Sequence, residues 1–148
     1  MEFSQLLRAA RQFERVFARR MAPVSERCGL TMGEIRILLF LANNPGCDTA
    51  RDVVLVRGLG KSQVSQAVDL LVGKGLLERC PSQRDRRIVH LTITPTGWPV
   101  AREAQAVQAR CGRALLEGLT PEETNTLQVI LEKIVANSAR LAGEEQKQ

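Results

Sequence analysis

Apolar positions recur at helical spacing from the start of the chain. Phe3, Leu6, Leu7, Ala10, Phe13, Phe17 and Met21 form one stripe, with Arg8, Arg11, Arg15 and Arg19 on the other side. That is the pattern of an amphipathic helix over residues 3–21, and Pro23 and Gly29 are expected to close it. Thr31-Met32-Gly33-Glu34 has the form of a capping box, in which a hydroxyl and a carboxylate each take an N–H of the first turn. Ile35, Leu38, Leu39 and Ala42 behind it predict a second helix, stopped by Asn43-Asn44-Pro45-Gly46.

Thr49-Ala50-Arg51-Asp52 is a second candidate box, leading into Val53-Val54-Leu55-Val56. Four aliphatic residues in a row suit a strand as well as a helix. The cap before them and Gly58 after them favour a short helix. Residues 61–74 carry Val64, Ala67, Val68, Leu71 and Val72 on one face, and Gly75 ends that run. Residues 76–80 and 88–94 have strand character around the polar turn Pro81-Ser82-Gln83-Arg84-Asp85-Arg86-Arg87, which predicts a hairpin. Helical spacing resumes at Thr94-Pro95-Thr96-Gly97 and continues to about Gly118. Thr120-Pro121-Glu122-Glu123 then combines an N-cap, a proline at the first helical position and a capping-box glutamate. Leu127, Ile130, Leu131, Ile134, Val135 and Leu141 extend the apolar stripe, and residues 143–148 read as a flexible polar tail.

This order predicts a mainly α (α+β) fold. Two helices joined by a short glycine-containing turn and followed by a hairpin describe a winged helix-turn-helix. Helices at both ends of the chain flank it.

The composition agrees. A chain of 148 residues and 16.4 kDa, 44% hydrophobic and 25% charged, suits one domain with additional helices for assembly. No apolar run approaches the ~18 residues of a membrane span. The N-terminus lacks the basic start and apolar block of a signal peptide, so a cytoplasmic location and no membrane partner are expected. The single histidine, His90, leaves little for Ser-His-Asp or Cys-His chemistry. Cys28, Cys47, Cys80 and Cys111 form no C-x-x-C pair, which excludes a sequence-local zinc site. Neither an enzyme nor a resident cofactor or metal is expected.

The net charge of +5 is concentrated in the middle of the chain. Residues 51–92 carry +4, whereas residues 93–148 carry −1. A basic segment of this kind points to a polyanion such as nucleic acid. On the helix at 61–74, Lys61, Ser62, Gln63, Ser65 and Gln66 give a short polar outward face. Glutamine can pair with adenine edges, and serine reaches a base or a phosphate. A solvated helix face has the same composition. Asp69, further along, suits a cytosine or a structural partner. In the turn, Arg84, Arg86 and Arg87 crowd around Asp85 and repel one another unless an anion is near. A DNA backbone supplies that anion and a narrow minor groove attracts arginine. Asp85 would orient one arginine by a bidentate contact. A solvated charged turn is the alternative.

These residues resemble the MarR family of bacterial transcriptional regulators. The resemblance is carried by Lys61-Ser62-Gln63-Val64-Ser65-Gln66, by Gly75-Leu76-Leu77-Glu78-Arg79, and by a wing similar to the family's D-x-R-x5-(L/I)-T signature: Asp85, Arg87, then Ile93-Thr94, with T-x-x-G closing from Thr94 to Gly97. Gln66 stands where many members have arginine. The resemblance implies a homodimer that presents two winged helices to a pseudo-palindromic operator in double-stranded DNA. Residues 1–30 and 97–142 would form the dimerisation region and residues 31–96 the DNA-binding domain. It also implies a repressor released by a small molecule. Independently, the terminal helices carry more apolar surface than a winged helix can cover, which suggests a partner surface.

Two other readings stay open. A winged helix can serve protein–protein contact, with the basic wing on an acidic partner. A thiol-based, redox-responsive regulator would use Cys28, which follows Arg27, or Cys47, just before a helix start, since both settings favour a thiolate. Cys80 and Cys111 are expected to be buried. His90 is expected to be a partly exposed strand residue.

Overall fold

The structure, a computed structural model, describes residues 2–57 and 59–145. The helices are α1 (Phe3–Cys28), α2 (Met32–Asn43), α3 (Ala50–Arg57), α4 (Lys61–Gly73), α5 (Gly97–Leu115) and α6 (Pro121–Glu145). The strands β1 (Leu77–Pro81) and β2 (Val89–Ile93) lie between α4 and α5. The chain packs as two compact units divided after Cys111.

In the first unit, Ile35, Ile37, Leu38, Leu39 and Phe40 make α2 buried almost all round, broader than the single stripe its sequence predicts. Val64, Val68 and Leu71 of α4 join it in the core, with Val53 of α3 and Leu77, Leu91 and Ile93 of the hairpin. Phe17, Met21 and Val24 of α1 and Ala101, Ala104, Val107 and Cys111 of α5 complete the same core.

The caps form as read. Thr31 Oγ1 accepts the Glu34 N–H at 3.2 Å, and Glu34 accepts the Thr31 N–H at 2.7 Å. Thr49 and Asp52 exchange the equivalent bonds at 2.9 and 3.2 Å, so the aliphatic run behind them is helical. Gly58, read as the cap of that helix, lies outside the described residues. Pro23 does not end α1. It removes one backbone donor, but Met21 and Val24 beside it are buried, and the helix continues to Cys28. Gly29 is the cap that stops it, with φ 62°.

The strands are antiparallel, with Leu77 opposite Ile93 and Cys80 opposite His90. Thr49 bridges to His90 on the outer side of β2, and the Leu91 N–H donates to the Asp48 carbonyl at 2.6 Å. The α2–α3 connection thus acts as a third, minimal strand. Cys80, expected to be buried, is exposed. Strand side chains alternate between faces, and the inner face is taken by Leu77, Leu91 and Ile93.

In the second unit, Thr120 and Glu123 form the predicted capping box at 3.2 and 2.8 Å. Residues 143–145, expected as tail, continue α6. The rest of that tail, residues 146–148, lies outside the described residues. Ile130, Leu131, Ile134, Val135 and Leu141 are all exposed.

Candidate nucleic-acid interface

Helix α4 buries Val64, Val68 and Leu71 and leaves Lys61, Ser62, Gln63, Ser65 and Gln66 exposed. The polar face read from the sequence is therefore an outer face of the helix. Its start has no side-chain cap, because Gly60 occupies that position. Gln63 supplies the other half of a capping box: its Oε1 accepts the Gly60 N–H at 3.3 Å. Asp69 is bonded to Arg79 of β1, which makes it a structural partner.

The end of α4 is fixed by several bonds. Leu76 N–H donates to the Leu71 carbonyl at 3.0 Å and Gly75 N–H to the Val72 carbonyl at 3.0 Å, with Gly75 at φ 71°. This 6→1 and 5→2 pair is a Schellman ending. Lys74 turns back toward α2, donating to the Gly29 carbonyl at 2.8 Å and to Glu34 Oε1 at 2.6 Å. Burial pushes the Glu34 carboxyl up, but the Lys74 ammonium and the bonds from Thr31 prevail and hold it below the usual carboxylate range. Thr94 then ties α4 to α5: its hydroxyl donates to the Gly75 carbonyl at 2.6 Å and accepts the Gly97 N–H at 3.0 Å. A Cβ on Gly97 would stand 2.2 Å from the Leu76 carbonyl oxygen. The threonine and glycine of the wing signature are thus the joint between these helices.

The wing turn has its own frame. Ser82 N–H donates to the Ile88 carbonyl at 2.9 Å, and Ser82 Oγ accepts the Arg84 N–H at 3.3 Å. Asp85 Oδ1 accepts the Arg87 N–H at 3.0 Å, while the guanidinium donates to both carboxylate oxygens at 3.2 and 3.3 Å. These bonds from Arg87, side chain first, hold the Asp85 carboxyl below its ordinary range. Arg84, Arg86 and Arg87 are exposed, and the Arg87 side chain is 91% exposed even while paired. A cationic turn whose one carboxylate is already committed to one arginine presents the others to solvent.

Sequence reasoning missed the contact that seats the wing. His90 Nδ1 lies 2.7 Å from Asp48 Oδ1. The pair joins residues 42 apart, and nothing in either local pattern announces it. His90 itself is half-buried on its strand, as expected. Of the candidate thiols, Cys28 is half-buried against the core and Cys47 is exposed in the turn after α2, both as free cysteines. Among the described residues no group of three or more His, Cys, Asp or Glu side chains can hold a metal ion, and no helix is long and apolar enough to cross a membrane.

Comparison with known proteins bears on this geometry. A MarR family model matches residues 29–88, from the end of α1 through the wing turn. The transcriptional regulator BilQ of Clostridium symbiosum is 24% identical over 106 residues, covering 72% of this chain and 73% of that protein. The multiple antibiotic resistance protein MarR of Salmonella typhimurium is 30% identical over 91 residues, 61% of this chain and 63% of its own length. The chain thus spans less than two thirds of that second relative. A MarR family regulator from Listeria monocytogenes, solved in complex with 26mer DNA, superposes with a TM-score of 0.82 at 20% identity, covering 95% of this chain and 93% of that one. These relatives are transcriptional regulators rather than enzymes. The helix pair and wing, residues 29–88, thus match the MarR family, and the chain shares the winged helix fold of solved MarR family transcriptional regulators.

Proposed function

We propose that the chain is a dimeric, sequence-specific DNA-binding repressor, acting in the cytoplasm and released from its operator by a small molecule. One observation carries the reading: an arginine turn with its carboxylate committed to Arg87 stands on the same unit as an exposed Lys-Ser-Gln helix face. In this reading α4 enters the major groove, where Gln63 and Gln66 read base edges and Lys61, Ser62 and Ser65 meet bases or phosphates. Arg84 and Arg86 reach the backbone or the adjacent minor groove, and Asp85 orients Arg87. A dimer follows from the apolar residues left uncovered on α6 and from Phe3, Leu6 and Leu7 on α1. Residues 31–96 then serve as the DNA-binding part, and residues 1–30 and 97–142 as the dimerisation part. A regulator seated on its operator represses by excluding other proteins from the same site.

Selection of bound fragments from a random DNA pool tests this directly. A pseudo-palindrome with half-sites about 10 bp apart is expected. On that operator, Arg84→Ala and Arg86→Ala should each reduce the salt slope of binding by about one. Gln63→Ala and Gln66→Ala should alter sequence preference more than total affinity. Failure to retain any DNA at moderate salt would instead favour the wing as a surface for an acidic protein.

A further inference from the structure

We propose that His90 and Asp48 are positioning residues for DNA recognition, a role that rests on the DNA-binding reading. Their pairing holds the wing arginines at a fixed offset from α4, and so sets how strongly the base pairs flanking each half-site are read.

A hairpin of two five-residue strands is marginal by itself. Its base is anchored in the core by Leu77, Leu91 and Ile93. Leu91 is the last of these before the turn, and Arg79 opposite it is bonded to Asp69 of α4. Beyond that rung Cys80, Pro81, Ile88 and Val89 are all exposed. There the α2–α3 connection takes hold: Asp48 meets β2 through its carbonyl, on the Leu91 N–H, and through its carboxylate, on His90. A carboxylate accepts, so Nδ1 of His90 carries the proton. The next residue faces the other way. Thr49 caps α3 through Asp52, and Val53 of α3 shares the core with Val64 and Val68 of α4. Asp48-Thr49 thus joins the wing to the helix pair.

Both side chains of the pair are 40% exposed, so the pair adds little to unfolding stability. It removes a local freedom instead. Without it, the turn that carries Arg84, Arg86 and Arg87 can pivot about the Leu91 rung. Attraction to phosphates survives such pivoting, because backbone charge is met all along a duplex. Reading a narrow minor groove does not survive it, because the arginine must stand at one distance from the helix in the neighbouring major groove. Loss of the pair therefore costs flanking preference more than total affinity.

The test uses the full-length protein and the operator recovered from the random pool, with a second pool in which the half-sites are fixed and their flanks randomised. His90→Phe keeps a ring and removes the donor. Asp48→Ala removes the acceptor and keeps the carbonyl that Leu91 uses. Each should flatten the flanking preference, keep the half-site preference, and weaken binding by about three- to tenfold, with a urea midpoint near that of wild type. His90→Asn, whose amide nitrogen stands near the place of Nδ1, should restore most of the flanking preference. Arg86→Ala should cost far less in the His90→Phe background than in wild type, since a misplaced wing no longer delivers that arginine. Independent, multiplying losses for His90→Phe and Arg86→Ala, an intact flanking preference in both single variants, or no rescue by asparagine overturns the proposal. A further arm needs no DNA: nitrogen-15 relaxation should show backbone order parameters at residues 83–88 falling from about 0.85 toward 0.6 in His90→Phe and Asp48→Ala. Unchanged order there also overturns it. A wild type that binds no DNA removes the proposed function and the recognition role with it, whereas the relaxation result still reports whether the pair orders the wing.

Discussion

Asp85 commits its carboxylate to Arg87 through two side-chain bonds and one backbone bond, so the four charges of the wing turn are not equivalent. Arg84 and Arg86 are the arginines expected to meet phosphate. Arg87 is held by Asp85 and is presented in a fixed pose. Asp85→Asn keeps an acceptor for the Arg87 N–H but loses the charge that fixes the guanidinium. Its expected outcome is a several-fold loss of operator affinity with unfolding stability within about 0.5 kcal/mol of wild type, as for other exposed substitutions, read by fluorescence anisotropy and urea unfolding. Gly97 is the opposite case. An alanine there would place Cβ 2.2 Å from a backbone oxygen, and backbone cannot yield as a flexible side chain does. Gly97→Ala should cost about 1–3 kcal/mol in urea unfolding, the range for overpacking a filled site. The signature residues Asp85, Arg87, Thr94 and Gly97 were legible as a pattern in the sequence. The clamp that Thr94 makes between the Gly75 carbonyl and the Gly97 N–H was not, because it joins residues 19 apart through backbone atoms that carry no side-chain identity. Gln63 shows the same gap. Its outward position followed from spacing, but its bond to the Gly60 N–H was hidden because a glycine at the N-cap gives no capping-box pattern to read.

Helix α4 is held at its end by ties to three other elements: Lys74 to Glu34 of α2, Asp69 to Arg79 of β1, and Gly75 to Thr94 before α5. Lys74 is the one whose loss leaves a buried charge, because the Glu34 side chain is 1% exposed. Lys74→Met should destabilise the fold by about 2 kcal/mol, below the usual cost of orphaning a buried charge because Lys74 is itself partly solvated. The pH dependence follows from the direction of the Glu34 shift. Its folded value lies below its ordinary 4.5, so the pairing contributes fully above the unfolded value and is lost as pH falls through the folded one. The urea midpoints of wild type and Lys74→Met should therefore differ at pH 7 and converge in acid. A gap that persists unchanged to the acid limit would mean that the lysine acts by packing alone. Boundaries were legible wherever a side chain caps a helix, as at Thr31, Thr49 and Thr120. They were less so where tertiary burial overrides a local breaker: Pro23 is tolerated because the helix around it is anchored in the core. For Cys80, strand character alone did not say which face points to solvent.

At the scale of the molecule, the unresolved term is the apolar surface of α6. Thr120, Pro121 and Glu123 start the helix strongly, and its 25 residues run to Glu145. Yet Ile130, Leu131 and Ile134 are 47, 48 and 42% exposed, and Val135 is 66% exposed. Because these side chains are already about half covered, full burial against a partner surface would add roughly half of the ~1.5–3 kcal/mol that burying a wholly exposed one contributes, about 1 kcal/mol each. A second copy is the partner that a pseudo-palindromic operator also requires, since two-fold symmetry in the protein sets the spacing of half-sites in the DNA. The charge distribution agrees with such a division of labour: residues 93–148 carry −1 and residues 51–92 carry +4, so assembly through α6 brings little like charge together. Ile134→Asp tests assembly without touching the wing or α4. Wild type should sediment at twice the 16.4 kDa chain mass and the variant at that mass, or at twice it only at much higher concentration. An isolated winged helix keeps its phosphate contacts but reads one half-site, so the variant should retain weak binding to single half-sites and lose most of its preference for the palindrome. A variant that stays dimeric and reads the palindrome like wild type would move the assembly surface elsewhere, and α6 would then need a different occupant.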